Sequence, residues 1–222
     1  MPRILASKWT KVVLFLLCLV PLGYILWLGW LEYRAQTHGI GQTGNLTADP
    51  IKYITHFTGD WTLRFLLVTL AVTPLRNLLN RPLLTRYRRM LGLYAFFYGS
   101  LHLMIWMGLD KEFNGSELWK DILKRWYITV GMAGLLGMLP LAVTSTAGWV
   151  RRMGYAKWQK LHRLIYLSAA LGVTHYYLLV KSDFREPLLY GSILAVLLLY
   201  RLGVWLRKRP AAPKPAFVTA SK

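Results

Sequence analysis

Six stretches of this chain run to about 20 mostly apolar residues each, and no other feature limits its fold so strongly. An α-helix rises 1.5 Å per residue, so about 20 such residues cover the hydrocarbon of a bilayer. The stretches lie at about 11–31, 61–79, 90–109, 126–146, 160–180 and 187–206. The predicted fold class is an all-α membrane protein, a bundle of six transmembrane helices. The second stretch (WTLRFLLVTLAVTPL) and the fifth (LIYLSAALGVTHYYLLV) carry polar residues. A helix facing lipid all round has no use for them, so both are predicted to have a protein-facing side. The first stretch, with Arg3, Lys8 and Lys11 ahead of or within its start, has the charge of a signal peptide. Its apolar run of about 20 residues is too long for a signal core, and no small-x-small cleavage site follows, so it reads as an uncleaved span.

Charge sets the orientation. The chain has 28 Lys and Arg against 9 Asp and Glu, a net +19, yet 55% of its residues are hydrophobic and only 17% charged. A basic soluble domain for nucleic acid does not have that balance. All nine acidic residues fall in the loops after spans 1, 3 and 5, with about nine basic ones. The termini and the other loops hold the remaining nineteen basic residues and no acid, among them Arg76, Arg81, Arg86, Arg88 and Arg89, then Arg151, Arg152, Lys157 and Lys160. Lys and Arg stay on the cytoplasmic side during insertion, which predicts both termini cytoplasmic. Residues 1–206 read as one membrane domain with no room for a soluble nucleotide-binding domain, and 207–222 as a disordered basic, Pro/Ala-rich tail. The G-x-G-x-x-G match at Gly39–Gly44 lacks the strand and helix of a dinucleotide site and reads as a flexible loop. Cys18, alone in the sequence, cannot pair within the chain.

Ionisable residues inside a membrane are costly and point to function. His102 lies in span 3 and His175 in span 5, two helices running in the same direction, at similar depth in the outer half of the bilayer. Two neutral imidazoles at one depth on neighbouring helices are what bis-histidine haem b ligation requires, one on each face of the iron. A faint repeat supports the pairing. Leu70-Ala71-Val72-Thr73 closes span 2 and Leu141-Ala142-Val143-Thr144 closes span 4; His102 follows Thr73 by 29 residues and His175 follows Thr144 by 31. Spans 2–3 and 4–5 are thus predicted to be duplicated hairpins about a pseudo-two-fold axis along the membrane normal.

His162 lies near the cytoplasmic face, about 140° off the His175 side of a straight helix. Two readings stay open: a ligand of a second haem, or a side chain at the interface. Its repeat counterpart falls near Arg88 or Arg89, which suit haem propionates or lipid phosphate. Tyr94, Phe96, Phe97 and Tyr98 near His102, and Tyr176 and Tyr177 beside His175, either wall a porphyrin or simply pack. Trp30, Tyr33, Trp126, Tyr127, Trp158 and Trp205 read as interfacial anchors. Gly131, Gly134 and Gly137 read as sites of close helix approach.

The stretches DPIKYITHFTGDWTLRFLLVTLAVTPL, RPLLTRYRRMLGLYAFFYGSLHL and KWQKLHRLIYL followed by THYY resemble the haem-binding membrane subunits of bacterial periplasmic protein-methionine-sulfoxide reductase systems. These belong to the ferric-reductase-like transmembrane family. The resemblance runs from about residue 45 to 205. It implies an inner-membrane, six-helix b-type cytochrome that passes electrons from the quinone pool, or a cytosolic flavin reductase, to a periplasmic molybdopterin enzyme repairing oxidised methionines. It also implies FMN, for which no residue can be matched. Under it His102 and His175 match the central haem pair and His162 the inner histidine of span 5. The fourth histidine of the wider family is replaced by the region Arg86-Tyr87-Arg88-Arg89, and His56 lies in an HFTG stretch typical of the subunit.

The absence of a soluble domain points to an electron-transfer subunit rather than a self-sufficient enzyme. The rival readings are a stand-alone ferric or other metal reductase, a quinol-oxidising cytochrome with another acceptor, and a small transporter using its histidines as proton relays.

Overall fold

The computed structural model describes residues 7–39 and 46–207, and every regular element among them is helical. In chain order these are α1 (Lys8–Thr37), α2 (Pro50–Leu78), a 3-10 turn (Pro82–Leu84), α3 (Thr85–Ile105) and a wide π turn (Trp106–Asp110). There follow α4 (Gly115–Lys124), α5 (Trp126–Val143), α6 (Ala147–Met153), α7 (Tyr155–Leu161), α8 (Leu164–Leu179) and α9 (Arg185–Arg207). The starts are written locally. Ser7 caps α1 through Trp9 N, Asp49 caps α2 through Lys52 N with Pro50 in the first turn, and Asn114 caps α4 through Ser116 N and Glu117 N.

Among the described residues, four stretches are long and apolar enough to cross a membrane: α1, Pro82–Asp110, α5 and α9. The second and fifth expected spans differ from the other four for identifiable reasons. Helix α2 carries Lys52, Asp60, Arg64, Arg76 and five threonines. Helix α8 has only 16 residues, because the helix expected over 160–180 breaks at His162–Arg163, between α7 and α8. Two further features lie beyond the sequence reading: α2 starts at Pro50, well outside the apolar run, and the loop after α3 folds into α4. The tail from 208, and all but Gly39 of the glycine match, lie outside the described residues.

Helices α2 and α3 pack as one antiparallel hairpin and α5 and α8 as another, the two most extensive pairings in the molecule. Helix α9 closes against α8 and α2, and α1 lies against α3. Leu66, Leu70, Ala95, Tyr98 and Ala169 are completely or almost completely buried at the centre.

Proline leaves gaps in the backbone ladder, and side chains from neighbouring helices serve the groups near them. Pro74 has no N–H to offer the Leu70 carbonyl, and Arg201 from α9 donates to that oxygen instead. In α1, the Tyr98 hydroxyl donates to Cys18 O at 2.9 Å and accepts from Leu22 N at 3.1 Å, bridging a pair that an unbroken helix would bond directly next to Pro21. Tyr94 donates to Phe15 O at 2.9 Å, and Tyr94 and Tyr98 both stack on Phe65. These aromatic residues near His102 therefore pack the helices together, whereas Tyr176 lines the central cavity.

Candidate functional site

A cavity of about 390 Å³ opens between the two hairpins, and His102 and His175 both line it. Their ring centroids lie 6.1 Å apart with planes at 81°. Each imidazole is held by the helix across from it in its own hairpin. His102 Nδ1 bonds to Thr55 O at 2.8 Å, and His175 Nδ1 to Tyr127 O at 2.6 Å. A carbonyl oxygen can only accept, so each Nδ1 carries the proton and each Nε2 keeps its lone pair, the form a metal ligand needs.

Glycines make room for both rings. A Cβ at Gly59 would lie 3.1 Å from His102 Cε1, and one at Gly131 would lie 2.6 Å from His175 Nδ1. One turn inward from the histidines, a Cβ at Gly99 would meet Leu135 Cδ1 at 3.0 Å, and one at Gly172 would meet Leu63 Cδ1 at 3.5 Å. The partners correspond across the repeat: Thr55 with Tyr127, Gly59 with Gly131, Leu63 with Leu135, Gly99 with Gly172 and His102 with His175 are each 72 or 73 residues apart. The duplicated hairpin thus extends well past the four-residue LAVT match, and the contacts that α3 makes to α5 recur where α8 meets α2. Gly134 and Gly137 serve close approach as expected, against Ser168 O and Ser168 Oγ.

The donor set and the space fit a bis-histidine haem. Two neutral Nε2 atoms converge on one cavity, and the glycines opposite the rings leave the imidazoles room. His102, His175, Gly59 and Gly131 would form its immediate surroundings.

His162 and Arg88 are not part of this constellation. His162 caps α7, its ring 3.9 Å from that of Trp158, and its Nε2 is 3.1 Å from Thr144 Oγ1. The Thr144 hydroxyl gives its proton to Pro140 O at 2.6 Å, so it accepts from His162 Nε2, which is therefore protonated. The tautomer is the reverse of that at the cavity. Arg89 sits over Trp158 at 5.9 Å, and Arg88 is close enough for its charge to act on His162. His56 lines the outer part of the cavity beside Lys52; burial, and after it the Lys52 ammonium, holds its imidazole below the usual histidine range.

Four participants escaped the sequence reading: the carbonyls of Thr55 and Tyr127, and the close approach of Gly59 and Gly99. A carbonyl leaves no trace in residue identity. The glycines do, since sliding the sequence by 72 or 73 residues superposes Gly99-Ser-Leu-His102 on Gly172-Val-Thr-His175.

Comparison with known proteins shows the family. Residues 58–173, which hold His102 and end two residues before His175, match the ferric reductase like transmembrane component family. A protein from Caulobacter vibrioides is 48% identical over 200 residues, 90% of this chain and 89% of the relative. One from Rhodospirillum rubrum is 48% identical over 206 residues, 93% of both chains. One from Xanthomonas euvesicatoria pv. vesicatoria is 46% identical over 213 residues, 93% of this chain and 94% of the relative. All three are named protein-methionine-sulfoxide reductase heme-binding subunit MsrQ. The chain therefore belongs to the ferric-reductase-like transmembrane family and, within it, to the family of protein-methionine-sulfoxide reductase haem-binding subunits.

Proposed function

We propose that this chain is the b-type cytochrome subunit of a periplasmic methionine-sulfoxide reductase system, carrying electrons across the bacterial inner membrane to a molybdopterin catalytic partner. The observation that carries the reading is the pair of carbonyl-held imidazoles presenting free Nε2 atoms to one cavity. Haem b at His102 and His175 supplies one-electron exchange at its iron. The chain's own part is to fix both tautomers through Thr55 O and Tyr127 O, and to surround the site with Leu63, Leu66 and Leu135.

The membrane arrangement belongs to the same proposal. All six hydrophobic helices cross, with α2 and α8 as the central, partly polar pair, and both termini face the cytoplasm, as the basic residues at that end imply. The cavity mouth, formed where α2 and α5 begin, then faces the periplasm. The quinone pool or a cytosolic flavin reductase is the donor. FMN comes from the family resemblance alone and is assigned no residue.

We assign one haem to the matched histidines. His162 and Arg88 are the candidates for a second, which would require His162 Nε2 to give up Thr144. Purified protein reduced with dithionite should show a b-type spectrum and deliver electrons to the methionine-sulfoxide reductase subunit faster than to ferric citrate. A preference for ferric citrate would favour a stand-alone metal reductase, and a chain without a Soret band would favour the transporter reading.

A further inference from the structure

Haem b carries two propionates as well as an iron, and the cavity is not equally able to receive them at its two ends. Around the inner end stand Leu66, Met138 and Ser168, with no charged side chain. At the mouth are Lys52 and Arg125, the cavity-lining side chains among the described residues that carry a fixed positive charge. Carboxylates pointing inward would be buried without a counter-charge, which is strongly unfavourable.

The two cations stand at like ends of the two hairpins without being exact counterparts. They are 73 residues apart, one more than the 72 that relates Thr55 to Tyr127 and Gly59 to Gly131 on the same helices. Lys52 lies three residues before Thr55 and Arg125 two before Tyr127, so each stands just outward of the carbonyl that holds its hairpin's imidazole. Arg125 is already oriented: its Nε pairs with Asp121 at 3.2 Å and its Nη1 donates to the Tyr127 hydroxyl at 3.1 Å, which leaves further guanidinium donors.

Two of the carboxylates at the mouth have their own partners. Asp49 accepts from Lys52 N as the cap of α2 and Asp110 pairs with Lys111 at 3.5 Å, while Asp60 stands in the opposing fields of Glu186 and Arg64.

We propose that Lys52 and Arg125 anchor the two haem propionates, one from each hairpin, and so fix the haem with its carboxylate edge toward the mouth. This rests on the haem reading above. The arrangement gives each hairpin one cation for a ligand whose two carboxylates lie on one edge. It also directs that edge, rather than an apolar one, toward the side where an acceptor docks.

The test uses the haem-loaded protein in detergent and follows haem transfer to excess apomyoglobin for the wild type, Lys52→Gln, Arg125→Gln, the double variant and Lys120→Gln, an exposed α4 lysine away from the cavity. Each cavity substitution should speed release about five- to tenfold, the double variant more, and Lys120→Gln should leave it unchanged. Arg125→Lys should recover much of the loss. Loading with the dimethyl ester of haem, which has no free carboxylates, should make the wild type and the double variant release at the same rate. It also separates propionate contact from a general loss of structure. A haem-loaded wild type whose release is indifferent to both substitutions would overturn this proposal alone. Equal acceleration of the ester by the double variant would overturn it too. A wild type that binds no haem would overturn the functional reading along with it.

Discussion

Replacing Gly131 by alanine should damage the site far more than the same change at its counterpart Gly59. The new Cβ would stand 2.6 Å from His175 Nδ1, 2.9 Å from Cε1 and 3.1 Å from Cγ. Ordinary contact needs roughly 3.4 Å or more, so the ring must retreat by roughly 0.8 Å. It cannot do so freely, because the same Nδ1 is clamped to Tyr127 O at 2.6 Å. Overpacking costs about 1–3 kcal/mol and the strained hydrogen bond about 1 kcal/mol. At about 1.4 kcal/mol per factor of ten, haem affinity should fall by about 30-fold to 1,000-fold. At Gly59 the closest atom is 3.1 Å away, a gap that a few tenths of an ångström would relieve. The expected loss there is about fivefold or less. Gly137→Ala is the internal control: its clash at 2.7 Å is with Ser168 Oγ alone, a hydroxyl that can turn away. Haemin titration of the three purified apo-variants, with circular dichroism to check helix content, measures the series. Wild-type affinity in Gly131→Ala, or equal losses at Gly59 and Gly131, would refute the clamped-ring picture.

Other consequences concern how the bundle holds together. Tyr98→Phe removes the bridge between Cys18 O and Leu22 N and should cost about 1 kcal/mol in a detergent unfolding titration, since the freed groups can close on each other. Arg201→Leu should destabilise the wild type more than a Pro74→Ala background, because alanine returns the N–H that Leu70 O lacks. Lys111 is raised above the ordinary lysine range, first by its hydrogen bond to Asp121 and then by the charge of Asp110. Its contribution to holding α4 is therefore complete below the ordinary lysine value and lost as pH rises through the raised one. A spin label at Trp119→Cys should loosen only in that alkaline window, and Lys111→Gln should abolish the transition. His162→Ala should leave the haem content set by His102 and His175 intact, whereas loss of a second equivalent would place a haem on the cytoplasmic side.

What could be read from the sequence was what depends on side-chain type and spacing. The two histidines matched in depth and in repeat position, and they do share one cavity. The counterpart of His162 falls in the Arg88–Arg89 region, which the structure places around it. What could not be read was what the backbone supplies or what neighbouring helices decide. The carbonyls of Thr55 and Tyr127 set the tautomers, but any residue offers a carbonyl. The break at His162–Arg163 has neither proline nor glycine to announce it, and the His162–Thr144 contact spans the two segments on either side of the loop. Gly131 was visible as a close-approach residue, but its neighbour proved to be the His175 ring rather than a helix backbone.

The reduced-minus-oxidised optical spectrum, read with haem per chain, for wild type, His102→Ala and His175→Ala in detergent bears most directly on the central claim. We expect a low-spin b-type spectrum in the wild type, and loss of that haem from either variant, because each imidazole supplies one of the two Nε2 atoms facing the cavity. Full haem with an unchanged spectrum in His102→Ala or His175→Ala would contradict it.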